Sequence, residues 1–302
     1  MKPWKAELFL LMMTFIWGGT FLFTKIGLEF TSPALYVIIR YSIALTICLI
    51  IFGKNLRLLN KQTLISGIVL GLFLGGGFLL QTSGLKYTTV SKSAFITGVS
   101  VVLTPIVYWF IEKRKISYWQ ISGVVIVTLG LWLFTQPEFD NINLGDFLTL
   151  LSTFFWAFYI TYMDVFTKGK SDFKETSLIV IFQFVAALPL AFIFFLIFES
   201  NPIKLDLTDG LLYSLFYNAI LASFFLTIIH TSVQRYTSPV KAALIFSLEP
   251  VIASYLAYIF MKETMSTIEF VGAAVLMFGI LLSETGEYFL SRVFKIYKKA
   301  EH

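Results

Sequence analysis

Ten continuous apolar runs of about twenty residues, separated by short polar joints, constrain this 302-residue chain more than any other feature. They lie near 7–28, 33–52, 64–84, 92–111, 117–134, 146–166, 177–198, 210–231, 239–260 and 267–285. A helix needs roughly 17–25 such residues to cross about 30 Å of hydrocarbon at about 1.5 Å per residue. The joints include Gly53-Lys54-Asn55, Glu112-Lys113-Arg114-Lys115, Gln136-Pro137-Glu138 and Asn201-Pro202. Composition excludes a soluble fold: with 57% of residues hydrophobic, 14% charged and a mean hydropathy of +0.82, too few charged side chains remain to coat a core. A membrane β-barrel would show ten-residue segments of alternating polarity instead of continuous runs. The fold class is therefore an all-α polytopic membrane protein with ten transmembrane helices. Lys2 and Lys5 ahead of Leu8-Phe9-Leu10-Leu11 have the look of a signal peptide. The apolar stretch is longer than a typical signal core, however, and no A-x-A-like site follows, so the first run reads as a span.

The formal charge of +5 would suggest nucleic acid in a soluble chain, but here the basic residues sit in the loops and no nucleic-acid partner is expected. With the N-terminus inside, the inner segments carry 17 Lys and Arg against Lys86, Lys92, Lys204 and Lys262 outside. The positive-inside bias places both termini in the cytoplasm, in a plasma membrane. The basic tail could also touch anionic lipid headgroups.

Residues 86–133 lie over 235–282 at a constant offset of 149, and 11 of these 48 pairs are identical. Among them are Tyr87/Tyr236, Thr88/Thr237, Lys92/Lys241, Lys113/Lys262, Ser117/Ser266, Gly123/Gly272 and Gly130/Gly279. Shared Leu and Ile would arise by chance between apolar helices; shared Lys, Tyr, Ser and Gly at their boundaries would not. Thr14-Phe15-Ile16-Trp17 likewise echoes Thr153-Phe154-Phe155-Trp156. Five spans per half is an odd number, so the second half sits upside down relative to the first. This inverted repeat is common in secondary transporters, whose substrates bind near the midplane between the halves. We divide the chain into a first repeat (1–135), a second, inverted repeat (136–290) and a basic cytoplasmic tail (291–302).

Trp17-Gly18-Gly19-x-Phe21 in the first run, Arg40 in the second, Glu249-Pro250 in the ninth, Lys262-Glu263-Thr264-Met265-Ser266 and the Gly272-x6-Gly279 helix occur in an order that resembles the drug/metabolite transporter superfamily, specifically its EamA-like branch. The resemblance covers essentially the whole chain. It implies a ten-helix carrier that moves small metabolites by alternating access, with no ATP-binding domain. In the first half Arg114 stands where the second half has Glu263, with Glu112 two residues earlier.

An ionisable group inside hydrocarbon costs roughly 2.5–3.5 kcal/mol or more, so each requires a partner or a wet cavity. Glu249 lies deepest. It reads either as a structural acid, uncharged or paired with Arg40, or as a group that binds ligand or couples protons. Pro250 removes a backbone donor beside it and lets the helix bend there. Arg40 divides between snorkelling or a structural ion pair and a fork for a substrate carboxylate or phosphate. Lys25 reads as a snorkelling side chain near the outer end, and His230 as a solvated residue near the inner boundary, with a titratable gate as its alternative. Trp17, Thr20, Gln81, Thr97, Trp156, Tyr159, Asn218 and Tyr255 could line a substrate cavity, or could join helix to helix by hydrogen bonds. Trp17 and Trp156 are the better candidates because they occupy equivalent places in the two halves. Gly67, Gly71 and Gly75 form a ridge that lets a neighbouring helix approach closely, which makes the third span central.

Two His and the single Cys48 cannot build a metal cage or a disulfide framework, and Cys48 reads as packing. There is no phosphate loop, H-E-x-x-H, Cys pair, G-x-S-x-G elbow or regular Arg-rich helix. The sequence therefore points to a cofactor-free carrier with the lipid bilayer as a partner, and the resemblance implies a permease for small metabolites such as amino acids or related amphipathic compounds. The rivals are a membrane scaffold or subunit of a larger complex, and a carrier of nucleotide-sugar or lipid-linked substrates.

Overall fold

The computed structural model describes residues 1–135, 143–169, 172–199, 202–262 and 266–300, with backbone alone at 135 and 284–300. The joint Gln136-Pro137-Glu138, with the division at 135/136, lies outside or at the edge of the described residues. So do Lys170, Asn201, Glu263-Thr264-Met265 and the side chains of the basic tail.

Every described long element is helical: α1 (Pro3–Gly27), α2 (Pro33–Phe52), α3 (Lys61–Leu85), α4 (Val90–Gly98), α5 (Ser100–Glu112), α6 (Tyr118–Thr135) and α7 (Leu144–Thr167). They continue through α8 (Phe173–Phe198), α9 (Asp209–Leu215), a π-helical stretch (Phe216–Phe225), α10 (Leu226–Val233), α11 (Pro239–Phe246), α12 (Glu249–Met261) and α13 (Thr267–Ala300). Among the described residues, eight helices are long and apolar enough to cross a bilayer, counting α4–α5, α9 to Tyr236 and α11–α12 as one each. Two more apolar helices, Tyr118–Phe134 and Thr267–Ser283, are shorter. Large apolar side chains such as Ile50, Phe110, Ile197 and Phe260 face outward, as a lipid solvent requires.

The polar joints supply the helix ends. Pro3, Pro33 and Pro239 occupy first helical positions, where a missing N–H costs nothing. Asn60, Thr89, Asn143, Thr208 and Ser238 cap helix starts through their side chains. Among the described non-glycine residues, only Lys113 (φ 54°) and Lys262 (φ 57°) are left-handed. They end α5 and α12, 149 positions apart in the sequence.

Glycine ridges bring helix axes together. A Cβ on Gly71 would strike the Gln183 carbonyl and lie 2.8 Å from Ala186 Cβ, and one on Gly75 would lie 2.9 Å from Ala187 Cα, so α3 packs backbone to backbone on α8. Its other side meets α7, where Gly76 and Gly77 abut Phe155 and Trp156. The repeat-equivalent glycines Gly130 and Gly279 do the same between α6 and α13: added Cβ atoms would lie 2.5 Å from Leu276 N and 2.9 Å from Val127 N.

Two mirrored polar clusters tie the halves together. At the start of α4, Lys92 Nζ lies 2.7 Å from Asp146 Oδ2 on α7, and Thr88 donates to Asp146 Oδ1 at 2.9 Å. At the start of α11, their equivalents Lys241 and Thr237 meet Glu7 on α1, at 3.4 and 3.2 Å. Lys25, near the far end of α1, donates to the carbonyls of Leu85 and Thr88. The α4 cluster is thus at one end of α1 and the α11 cluster at the other, separated by the 18 residues between Glu7 and Lys25, or about 27 Å. Lys25 does not snorkel: its ammonium caps the C-terminus of α3, where free carbonyls and the helix dipole favour a cation.

Candidate functional site

Both α4–α5 and α11–α12 break midway, at equivalent positions. Val99 N–H bonds Ile96 O at 3.1 Å and Leu248 N–H bonds Ile245 O at 3.2 Å, tightening the chain by one residue at each break. Pro250 has no N–H to offer Phe246, which fixes the second break where the sequence suggested a bend. The breaks open a cavity of about 60 Å³ between the halves.

The cavity is lined almost entirely by pairs of equivalent positions. Trp17 and Thr20 of α1 are matched by Trp156 and Tyr159 of α7; Phe78 and Gln81 of α3 by Thr227 and His230 of α10; Thr97 and Ser100 beside the first break by Phe246 and Glu249 beside the second. The positions are symmetric and the chemistry is not. The lining carboxyl group and imidazole, Glu249 and His230, both come from the second half.

A chain of rings forms the wall. Phe78 meets Trp156 edge-on at 4.7 Å between centroids, Trp156 meets Tyr159 at 5.9 Å, Tyr159 meets His230 at 5.6 Å, and His230 meets Trp17 at 5.3 Å. Hydrogen bonds hold several members in place. Trp17 Nε1 donates to Ala222 O at 3.2 Å, Gln81 Nε2 to Thr97 Oγ1 at 2.9 Å, and Tyr159 OH to Gln183 Oε1 at 2.8 Å. His230 Nε2 lies 2.8 Å from the side-chain Oε1 of Gln234. Two buried polar groups on lining residues have no partner among the described residues, the Trp156 indole N–H and His230 Nδ1. Glu249 makes no hydrogen bond or ion pair among the described residues.

Seven of the ten residues singled out in the sequence line this cavity: Trp17, Thr20, Gln81, Thr97, Trp156, Tyr159 and Glu249. Three do not. Arg40 is fully buried one layer behind, with Nε donating to Ser223 Oγ at 2.6 Å and Cζ 4.2 Å from the Phe78 ring centre, and it forms no ion pair with Glu249. Asn218 Nδ2 donates to Thr24 Oγ1 and Tyr36 OH, joining the π-helical stretch to α1 and α2, while its Oδ1 is buried without a partner among the described residues. Tyr255 is 57% exposed on the outer face of α12, whose buried face runs through Pro250, Ala253, Ser254 and Ala257.

His230 corrects the sequence reading in the other direction. The helix continues to Tyr236, leaving about 10 Å of helix beyond His230, which is 1% exposed. The repeat itself carried the missing signal: the offset of 149 takes Gln81 to His230 and Thr97 to Phe246.

The family model described as "EamA-like transporter family" matches residues 4–136 and again 143–285. The chain belongs to this family. An uncharacterized transporter of Archaeoglobus fulgidus is 27% identical over 92% of this chain and 85% of its own length. The uncharacterized transporter YoaV of Bacillus subtilis is 24% identical over 92% and 96%. WAT1-related protein At4g28040 of Arabidopsis thaliana is 27% identical over 93% and 85%. A solved crystal structure, 14% identical, superposes with a TM-score of 0.73 over 92% of this chain and 96% of its own, which shows a shared fold. This EamA-family chain is a multi-pass membrane transporter.

Proposed function

We propose that the protein is a plasma-membrane secondary carrier of small amphipathic metabolites, amino acids and related compounds among them. In this reading its ten helices form two inverted five-helix repeats, 1–135 and 136–290, with both termini and the 291–302 tail in the cytoplasm. The observation that carries the reading is the pairwise lining of the cavity, because a site on the axis relating inverted halves draws on equivalent positions of both. The opposite placement of the two polar clusters along α1 supports the inversion. A cavity of about 60 Å³ is well below the roughly 300–1,000 Å³ of ligand pockets, so its walls part to admit a metabolite. Parting at one cluster and then at the other is alternating access. Glu249 is the group through which proton coupling would run, with His230 beside the same cavity.

A nucleotide-sugar or lipid-phosphate carrier would need cations in the cavity, and none of the described Lys or Arg residues lines it. A scaffold or complex subunit would have no use for a polar hollow whose acid lacks a partner. The test is flux of a pooled metabolite set in liposomes holding the purified protein, with Trp17→Ala and Trp156→Ala alongside. Wild-type-dependent movement that both variants reduce supports the carrier. Movement of no metabolite by a folded wild-type protein favours the scaffold.

A further inference from the structure

We propose that the cavity selects a small organic amine, carrying one positive charge on an apolar or aromatic body, over the zwitterion or carboxylate of the same skeleton. This rests on the reading of the cavity as the transport site. Three observations lead to it.

The first is charge. Glu249 is the one Asp, Glu, Lys or Arg among the lining residues, and it has no hydrogen bond or ion pair among the described residues. A carboxylate in low dielectric without a partner is costly, and an ammonium group supplies both the countercharge and as many as three donors.

The second is the wall. Trp17, Phe78, Trp156, Tyr159 and Phe246 surround the acid's cavity with rings, whose negative faces attract a cation and whose area buries an apolar body. The third is where the guanidinium went. Arg40 is the residue that would grip a substrate carboxylate, yet it lies outside the cavity, with Nε donating to Ser223, Cζ over the Phe78 ring and Nη2 buried without a partner among the described residues. Trp156, a lining residue, has a buried indole N–H without a partner among the described residues, a neutral group suited to a hydroxyl or carbonyl oxygen and too weak to balance a carboxylate.

The probes are 2-phenylethylamine, L-phenylalanine and 3-phenylpropionate, which share one ring and chain and differ in carrying the amine, both groups or the acid. Binding to the purified full-length protein is followed by tryptophan fluorescence, since Trp17 and Trp156 line the cavity. The expected order is 2-phenylethylamine at least tenfold tighter than L-phenylalanine, with no saturable binding of 3-phenylpropionate. Glu249→Gln is expected to cost the amine at least tenfold and leave L-phenylalanine nearly unchanged. The wild-type order is itself decisive, so a misfolded variant does not blunt the test. L-phenylalanine equal to or tighter than the amine, saturable 3-phenylpropionate, or no binding of any probe overturns the proposal. Liposome flux separates the two readings. Movement of zwitterions without amines leaves the carrier standing and removes the amine preference; the expected binding order without flux of any metabolite does the reverse.

Discussion

If the mirrored polar clusters close the two ends of the cavity, weakening one should open that end alone. Asp146→Asn keeps the shape and an oxygen for Thr88 while removing the charge that faces Lys92, although the Oδ2 it replaces also accepts from Asn143 N–H at the start of α7. A hydrogen bond to a charged group contributes about 1.5–3 kcal/mol. The Lys92 side chain is 32% exposed against 6% for Asp146, so solvent screening reduces the loss to about 1–1.5 kcal/mol. Lys92 lies in the first half and Asp146 in the second, so the bond is lost when the halves part there. Its loss shifts the equilibrium between closed and open about tenfold. Glu7→Gln, whose pair is longer at 3.4 Å, should shift the opposite end only a few-fold. The assay is the rate at which a membrane-impermeant thiol reagent modifies a cysteine placed at Thr97, in a Cys48→Ala background, with reagent added from one side at a time. Asp146→Asn should raise labelling from outside and Glu7→Gln from the cytoplasm. Unchanged labelling in both, or an increase from the same side in both, would refute the reasoning.

Three further outcomes follow from the packing. Trp17→Ala and Trp156→Ala should each cut liposome flux at least tenfold, since each removes one wall of the cavity, and Trp156→Ala should also lower the melting temperature, because Trp156 packs against Gly77 of α3. Gly71→Ala should cost about 1–3 kcal/mol through overpacking against the Gln183 carbonyl, read as a lowered melting temperature, whereas Gly53→Ala, with nothing within 4 Å, should not. Arg40→Met should alter thermal stability and leave the ratio of 2-phenylethylamine to L-phenylalanine affinity unchanged, because Arg40 packs behind Phe78 and does not face the ligand.

Much of the fold was legible because lipid imposes a simple rule: a continuous apolar run satisfies its own backbone as a helix, and the polar joints mark where it ends. The Gly67, Gly71 and Gly75 ridge was equally readable, since small residues four apart leave one face bare. The failures share a cause. Helical depth can be counted along a sequence, but which side of a helix faces the cavity depends on how it packs. Tyr255 is at a plausible depth on α12 and points away. Arg40 could have paired with Glu249 across the bundle, yet a neutral partner, Ser223, and an aromatic ring took it. His230 was misplaced because the apolar run ends at 231, while the backbone stays helical to Tyr236.

The account stands on two halves that run in opposite senses through the bilayer. Its most direct test is the sidedness of Lys113→Cys and Lys262→Cys, equivalent left-handed helix ends, each in a Cys48→Ala background and probed with an impermeant maleimide on intact cells and inverted vesicles. Labelling of position 113 only from the cytoplasm and of position 262 only from outside is the predicted result. Labelling of both from one side would contradict it.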